Sequence, residues 1–158
     1  MKKRFRIALA LGIALLCLLS IVMLLNLRGR FLDGYYLAFE VNTDKESCKI
    51  TKCIPLGAKE ITVPETLGRY RVREIDAYAF ANRAKLTAIT LPDGIESIGM
   101  GAFYECERLQ MIEIPNSVTA IGSYAFFNCS SLTGITLSAN VSSVGTRVFE
   151  GCSSVTEA

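Results

Sequence analysis

From Ile75 onward the chain repeats every 23 residues. Ile75, Ile98, Ile121 and Val144 form one column, and Phe80, Phe103, Phe126 and Phe149 a second. Leu86, Leu109, Leu132 and Val155 form a third. Three columns holding one spacing without an insertion exclude chance, and a fixed period of this length is the signature of a solenoid. Such a chain stacks small units and displays a surface rather than enclosing a catalytic cleft.

The units align directly. One reads IGMGAFYECERLQMIEIPNSVTA from Ile98, and the next IGSYAFFNCSSLTGITLSANVSS from Ile121. In each, two apolar residues flank a polar one: Ile89 and Leu91 around Thr90, Ile112 and Ile114 around Glu113, Ile135 and Leu137 around Thr136. That alternation predicts a short strand with one face buried. Pro92 and Pro115 end it, because proline cannot donate to a ladder. A second, briefer strand is predicted at Ile95 and Ile98, Val118 and Ile121, Val141 and Val144, and Gly99, Gly122 and Gly145 then mark a turn. The remaining segment places Ala125 or Phe126, Cys129 and Leu132 three apart, which predicts a short helical or 3₁₀ segment on the opposite side of the coil.

This pattern resembles the BspA-type leucine-rich repeats of bacterial surface proteins, with their I-x-x-I-x-[LI]-P-x-x-[VI]-x-x-I-G-x-x-A-F-x-x-C-x-x-L consensus. The likeness runs from Ile61 to the end. It implies a right-handed leucine-rich-repeat solenoid of short parallel strands, and a surface role in adhesion or recognition. Arg83 stands where the first full unit should have Cys, and Ser138 where the third should have Pro. The last unit lacks its strand.

The N-terminus is of a different kind. Lys2, Lys3, Arg4 and Arg6 precede a charge-free run from Ile7 to Leu27, closed by Arg28 and Arg30. As a helix, those residues would span roughly 31 Å, enough to cross a bilayer core. The run is long for a cleaved signal and lacks a small-residue cut site, so it reads as a transmembrane signal anchor; the alternative is secretion after signal cleavage. The heavier basic flank predicts a cytoplasmic N-terminus, residues 1–6, and extracellular repeats at the plasma membrane. Cys17 reads as a lipid-facing residue within the anchor. Of the 17 basic and 15 acidic residues, six basic ones fall within the first 30 positions. Residues 31–158 therefore hold 17 − 6 = 11 basic against 15 acidic, a net charge of −4. No basic stripe is present, so no nucleic-acid partner is expected.

After a tether at 28–34, two alternating stretches, Tyr36 to Val41 and Cys48 to Cys53, predict a β-hairpin cap within 35–60. Residues 61–158 then hold a first coil with an insertion, three full repeats and one truncated repeat. Five extra residues within Leu67 to Val72 predict a bulging loop with Gly68-Arg69-Tyr70-Arg71 at its tip. The apolar edge of the last coil is expected to be open, which offers a route to self-association.

Chemistry-bearing residues are few. His is absent, which removes His-based triads and His-bearing metal sites. Cys106, Cys129 and Cys152 share one repeat position and read as a packed inward column rather than a disulfide ladder. Cys48 and Cys53 lie five apart, facing opposite sides of a regular strand, so a disulfide between them requires a bulge. Two Asn-x-Ser triplets, at Asn128 and Asn140, read as chance matches. No acid/base dyad, phosphate loop, metal site or cofactor site is expected, and the chain is not expected to be an enzyme. The candidate partner-binding residues are instead the exposed strand positions Thr87, Thr90, Gln110, Met111, Glu113, Thr133 and Thr136. Arg69, Tyr70 and Arg71 on the insertion form a second patch, since aromatic and Arg residues dominate hot spots. The expected function is a membrane-anchored surface module binding a protein or glycan. The alternative is a structural spacer or assembly element without its own ligand.

Overall fold

The computed structural model describes residues 29–32, 34–55 and 58–155. The basic N-terminus, the run from Ile7 to Leu27 and Cys17 lie outside the described residues. Among the described residues no helix is long and apolar enough to cross a membrane. They form strands and turns only.

Strands β1 (Gly29–Leu32), β2 (Tyr35–Val41) and β3 (Ser47–Pro55) make an antiparallel unit. About four coils follow. The first predicted strand of each coil is β4 (Glu60–Thr62), β7 (Ala88–Thr90), β9 (Met111–Glu113) and β11 (Gly134–Thr136). These stack in parallel as one four-stranded sheet. The second is β6 (Tyr70–Ile75), β8 (Ser97–Ile98), β10 (Ala120–Ile121) and β12 (Ser143–Val144), parallel in a second sheet. That sheet is extended by the N-terminal unit, because β3 pairs in parallel with β6.

The third side of each coil is not helical, contrary to the three-residue spacing. Alternate amides there leave the coil altogether: Tyr78, Phe80 and Asn82 donate to the carbonyls of Met100, Ala102 and Tyr104, each near 2.8 Å. The amides between them close tight turns, Ala79 to Asp76 and Ala81 to Tyr78. The same pattern recurs one coil on, where Phe103 donates to Ala125 and Glu105 to Phe127. Two left-handed residues per coil impose it: Tyr78 and Asn82, Gly101 and Glu105, Tyr124 and Asn128, Arg147 and Gly151. A left-handed residue costs a non-glycine about 1–2 kcal/mol and cannot sit inside an α-helix. The spacing of apolar residues fits tight turns as well as a helix, so periodicity alone could not separate them.

The core is a set of columns. Phe80, Phe103, Phe126 and Phe149 stack at 5.3, 5.2 and 5.6 Å between ring centroids. Leu86, Leu109 and Leu132 are fully buried below them. Each column cysteine does more than fill space: Cys106, Cys129 and Cys152 donate to the carbonyls of Phe80, Phe103 and Phe126 at 3.1, 3.2 and 3.0 Å. Arg83, in the Cys position of the preceding coil, has a buried Nε without a hydrogen-bond partner.

Three of the sequence-level expectations change at the N-terminal end. Residues 29–32 are a strand paired with β2, not a tether. Gly29 permits this, since a Cβ there would fall 2.2 Å from the buried Tyr36 ring. The insertion is not a bulging loop. Thr66–Leu67 is a further strand, β5, folded antiparallel onto β6, so only Gly68 and Arg69 form the tip. Leu67 and Val72 anchor it in the core. Finally, β3 carries a bulge opposite Ala38/Phe39 that skips Thr51. It shifts side-chain parity and turns Cys48, Ile50 and Cys53 all inward. The bulge is present, yet both thiols are free, as are all described cysteines. The edge of the first sheet is closed by Tyr35, whose hydroxyl donates to Thr62 O at 2.6 Å and accepts from Thr62 N at 3.1 Å.

Gly99, Gly122 and Gly145 are needed for close approach rather than for turn conformation. Each donates its amide to the preceding coil at 2.8 Å. A Cβ on Gly122 would lie 2.5 Å from Met100 N, whereas one on Gly134 would meet nothing within 4 Å. Gly122→Ala should therefore cost about 3 kcal/mol through overpacking against rigid backbone. Gly134→Ala should be neutral or slightly stabilising. Denaturant midpoints of the two variants check this contrast.

Candidate functional site

The four-stranded sheet buries its central residues, Ile61, Ile89 and Ile112, and turns the flanking ones to solvent. Register places Glu60, Ala88, Met111 and Gly134 side by side, and Thr62 beside Thr90 and Glu113 beside Thr136. Adjacent members of such columns stand roughly 4.8 Å apart. Met111 is 66% exposed, the largest apolar side chain presented on this face. Thr90, Met111, Glu113 and Thr136 thus form one continuous outward array.

Thr87, Gln110 and Thr133 stand just before the strands and do different work. Thr87 Oγ1 donates to Lys59 O at 3.1 Å, and Thr133 Oγ1 donates to Gln110 O at 3.2 Å. Their hydroxyls serve contacts between coils. Gln110 remains exposed at the margin, its backbone joined to Thr87 and Thr133.

The insertion residues separate into two groups. Arg69 Nη2 donates to the Tyr70 hydroxyl at 3.1 Å, and its guanidinium lies 5.1 Å from that ring. Tyr70 in turn leans on Phe39, 6.1 Å away, and is half-buried. Arg71 faces elsewhere. It lines a cleft of about 510 Å³ with Glu65, Thr66, Val72, Arg73, Asp93 and Gly94. Arg73 is paired to Glu96; Arg71 makes no ion pair among the described residues. Glu65 follows Thr62 by three residues, and Asp93 follows Thr90 by three, at most about 10 Å of extended chain. The cleft therefore opens at the carboxyl ends of β4 and β7, next to the outward array.

One exposed group was missed. Tyr104 and Phe127 stack at 5.0 Å, with Tyr78 and Tyr124 set edge-on to them at 6.2 and 5.8 Å. Tyr78 is 47% exposed. These residues line the turn side, away from both sheets. The signal was legible: an extra aromatic beside the Ala-Phe pair in AYAF, AFYE and SYAFF.

The five described thiols are free and buried. Burial pushes Cys48 up to about 11, Cys53 to about 12 and Cys106 to about 11, from an ordinary 9.0. Cys129 is also raised, first by its hydrogen bond with Cys152 and then by burial. At Cys48, Cys53 and Cys106 the fold favours the protonated thiol, so this stabilisation is complete below pH 9 and is lost as pH rises through about 11 to 12, whereas Cys152 is lowered by its hydrogen bond with Cys129. In a Cys17→Ser protein, a thiol reagent at pH 8 should label none of the 6 − 1 = 5 remaining cysteines until denaturant is added. Among the described residues no group of three or more Cys, Asp or Glu side chains is placed to hold a metal ion.

Residues 57–158 match the model for the BspA type leucine rich repeat region, which comprises six copies. Solved structures share the fold. A leucine-rich repeat protein from T. pallidum is 27% identical, with a TM-score of 0.73 over 81% of this chain. This chain spans 58% of that protein's length. A leucine-rich repeat protein from Bacteroides capillosus is 25% identical, with a TM-score of 0.71 over 82% of this chain and 95% of its own. A leucine rich cell surface protein from Faecalibacterium prausnitzii is 29% identical, with a TM-score of 0.64 over 81% of this chain and 35% of its own. No curated protein sequence matches the chain.

Proposed function

Because the chain belongs to the BspA-type leucine-rich-repeat family, we propose that it is a recognition module, held at the cell surface and contacting a protein or glycan through the outward strand array. The observation that carries this reading is the array itself. Thr90 stands beside Thr62, Met111 beside Ala88 and Gly134, and Glu113 beside Thr136, all on the outward face of one sheet. A stacked fold can keep such a face flat and exposed with few interruptions. A solvent-exposed Met beside Thr and Glu columns supplies one apolar anchor within a hydrogen-bonding surround, the composition of a recognition surface.

Membrane attachment through Ile7 to Leu27 and an extracellular location for the repeats are part of the same proposal. They rest on the length of the apolar run and the basic flank before it. The Faecalibacterium relative is described as a cell surface protein, which agrees with that placement. The proposal is of a non-enzymatic protein, a reading supported by a sequence without His.

A second reading, an assembly element, is favoured by one observation. Leu137 and Val144 are 40% and 53% exposed beside β11 and β12, the last strands of both sheets among the described residues.

The test uses the full chain in detergent, screened against surface polysaccharides and host matrix proteins. The triple variant Thr90→Arg, Glu113→Arg, Thr136→Arg should weaken capture of the selected partner by about ten-fold or more. Undiminished binding by the triple variant would remove the strand array from the proposal. Absence of any partner, together with concentration-dependent self-association, would favour the assembly reading.

A further inference from the structure

The repeat is interrupted once, and the interruption leaves an unpaired strand edge. Among the described residues, strand β5 pairs only with β6. Val72 N donates to Glu65 O at 2.9 Å, so residues 65 and 72 are a hydrogen-bonded pair. In an antiparallel ribbon such pairs alternate with non-bonded ones, so Leu67 and Tyr70 are bonded and Thr66 and Arg71 are not. Arg71 N accordingly points the other way, donating to Glu46 O at 3.1 Å. The N–H and C=O of Thr66 must then point away from β6. They face the free edge, and Thr66 lines the 510 Å³ cleft.

The cleft is the step left by the five inserted residues. Later coils have no insertion, so beside β5 the next coil offers only the Asp93-Gly94 turn. The hairpin holding the edge is rigid, because Leu67 and Val72 are buried to 0% and 1% exposure. The walls carry charge: Arg71, which has no ionic partner among the described residues, Arg73, which is paired to Glu96, and the carboxylates Glu65 and Asp93. A volume of this size lies within the range of ordinary ligand sites.

We propose that the β5 edge is a docking site for an extended peptide segment of a partner protein. The segment adds as a strand beside β5, exchanging backbone hydrogen bonds with Thr66. One of its acidic residues pairs with Arg71. A basic residue two positions away, on the same face of the strand, meets Asp93 or Glu65. Backbone pairing supplies register, and Arg71 supplies selectivity for a carboxylate through its planar pair of donors. This inference deepens the recognition reading above, because it assigns a peptide class to the insertion patch. It does not depend on the strand array.

The experiment titrates the full chain with a fluorescent octapeptide in which Thr alternates with Glu and Lys in turn. Two controls are an all-Lys version, and the same octapeptide N-methylated at every residue, which removes the donors on both strand edges. Anisotropy should report saturable binding of the first probe only. Arg71→Glu should weaken it by about ten-fold or more, with Arg71→Lys intermediate. The single array variant Thr136→Arg, in β11 and so two strands beyond β7, should bind the probe as the parent does. Equal binding of the methylated probe would overturn strand addition, and this readout needs no variant to fold. Equal binding of the all-Lys probe, or by Arg71→Glu protein with an unchanged melting transition, would overturn the role of Arg71. No binding of the first probe by the parent would overturn the docking site altogether, while leaving the strand-array reading to its own test.

Discussion

Backbone hydrogen bonds between coils are the constraint on which everything else depends. Each coil sends amides to its neighbour from all three sides: Thr133 to Gln110, Gly122 to Ile98, and Phe103 to Ala125. A buried amide left unpaired is costly, so every coil must track its neighbour closely. That requirement explains the glycine column, where a Cβ would strike the preceding backbone. It explains the left-handed residues, including Tyr78 and Tyr124, whose strain recurs with the period rather than marking one special site. It also sets the Phe rings near 5.3 Å apart and brings each column thiol onto a Phe carbonyl.

The same constraint shapes the functional surfaces. A stack in perfect register yields columns, and columns yield the flat array of Thr90, Met111, Glu113 and Thr136. Irregularity is confined to the first coil, where five extra residues become β5 and the start of β6. The break in symmetry produces the concave cleft beside Thr66 and Arg71, and the unpaired strand edge along it. Regular and irregular parts thus offer different chemistry: side chains on the array, backbone and charge at the cleft.

Much of this was legible in the sequence. Alternation around Thr90, Glu113 and Thr136 identified the first strands, and the shared column identified Cys106, Cys129 and Cys152 as inward. The turn side was misread because Phe126, Cys129 and Leu132 fit either a helix or tight turns. Gly101, Gly151, Asn82 and Asn128 at the left-handed positions were the available discriminating signal. Residue spacing places the insertion but not its conformation; the apolar Leu67 and Val72 within it need burial, which a hairpin supplies and a bulging loop does not. The separation of Arg71 from Arg69 and Tyr70 was not legible, since it depends on strand parity after a two-residue tip.

Scalar couplings across hydrogen bonds, measured by NMR on the labelled chain, test the central claim most directly. The amides of Phe80, Phe103 and Phe126 should couple to the carbonyls of Ala102, Ala125 and Val148 in the next coil. Couplings from these amides to the carbonyls of Asp76, Gly99 and Gly122, four residues back in the same coil, would show a helix instead and contradict the account.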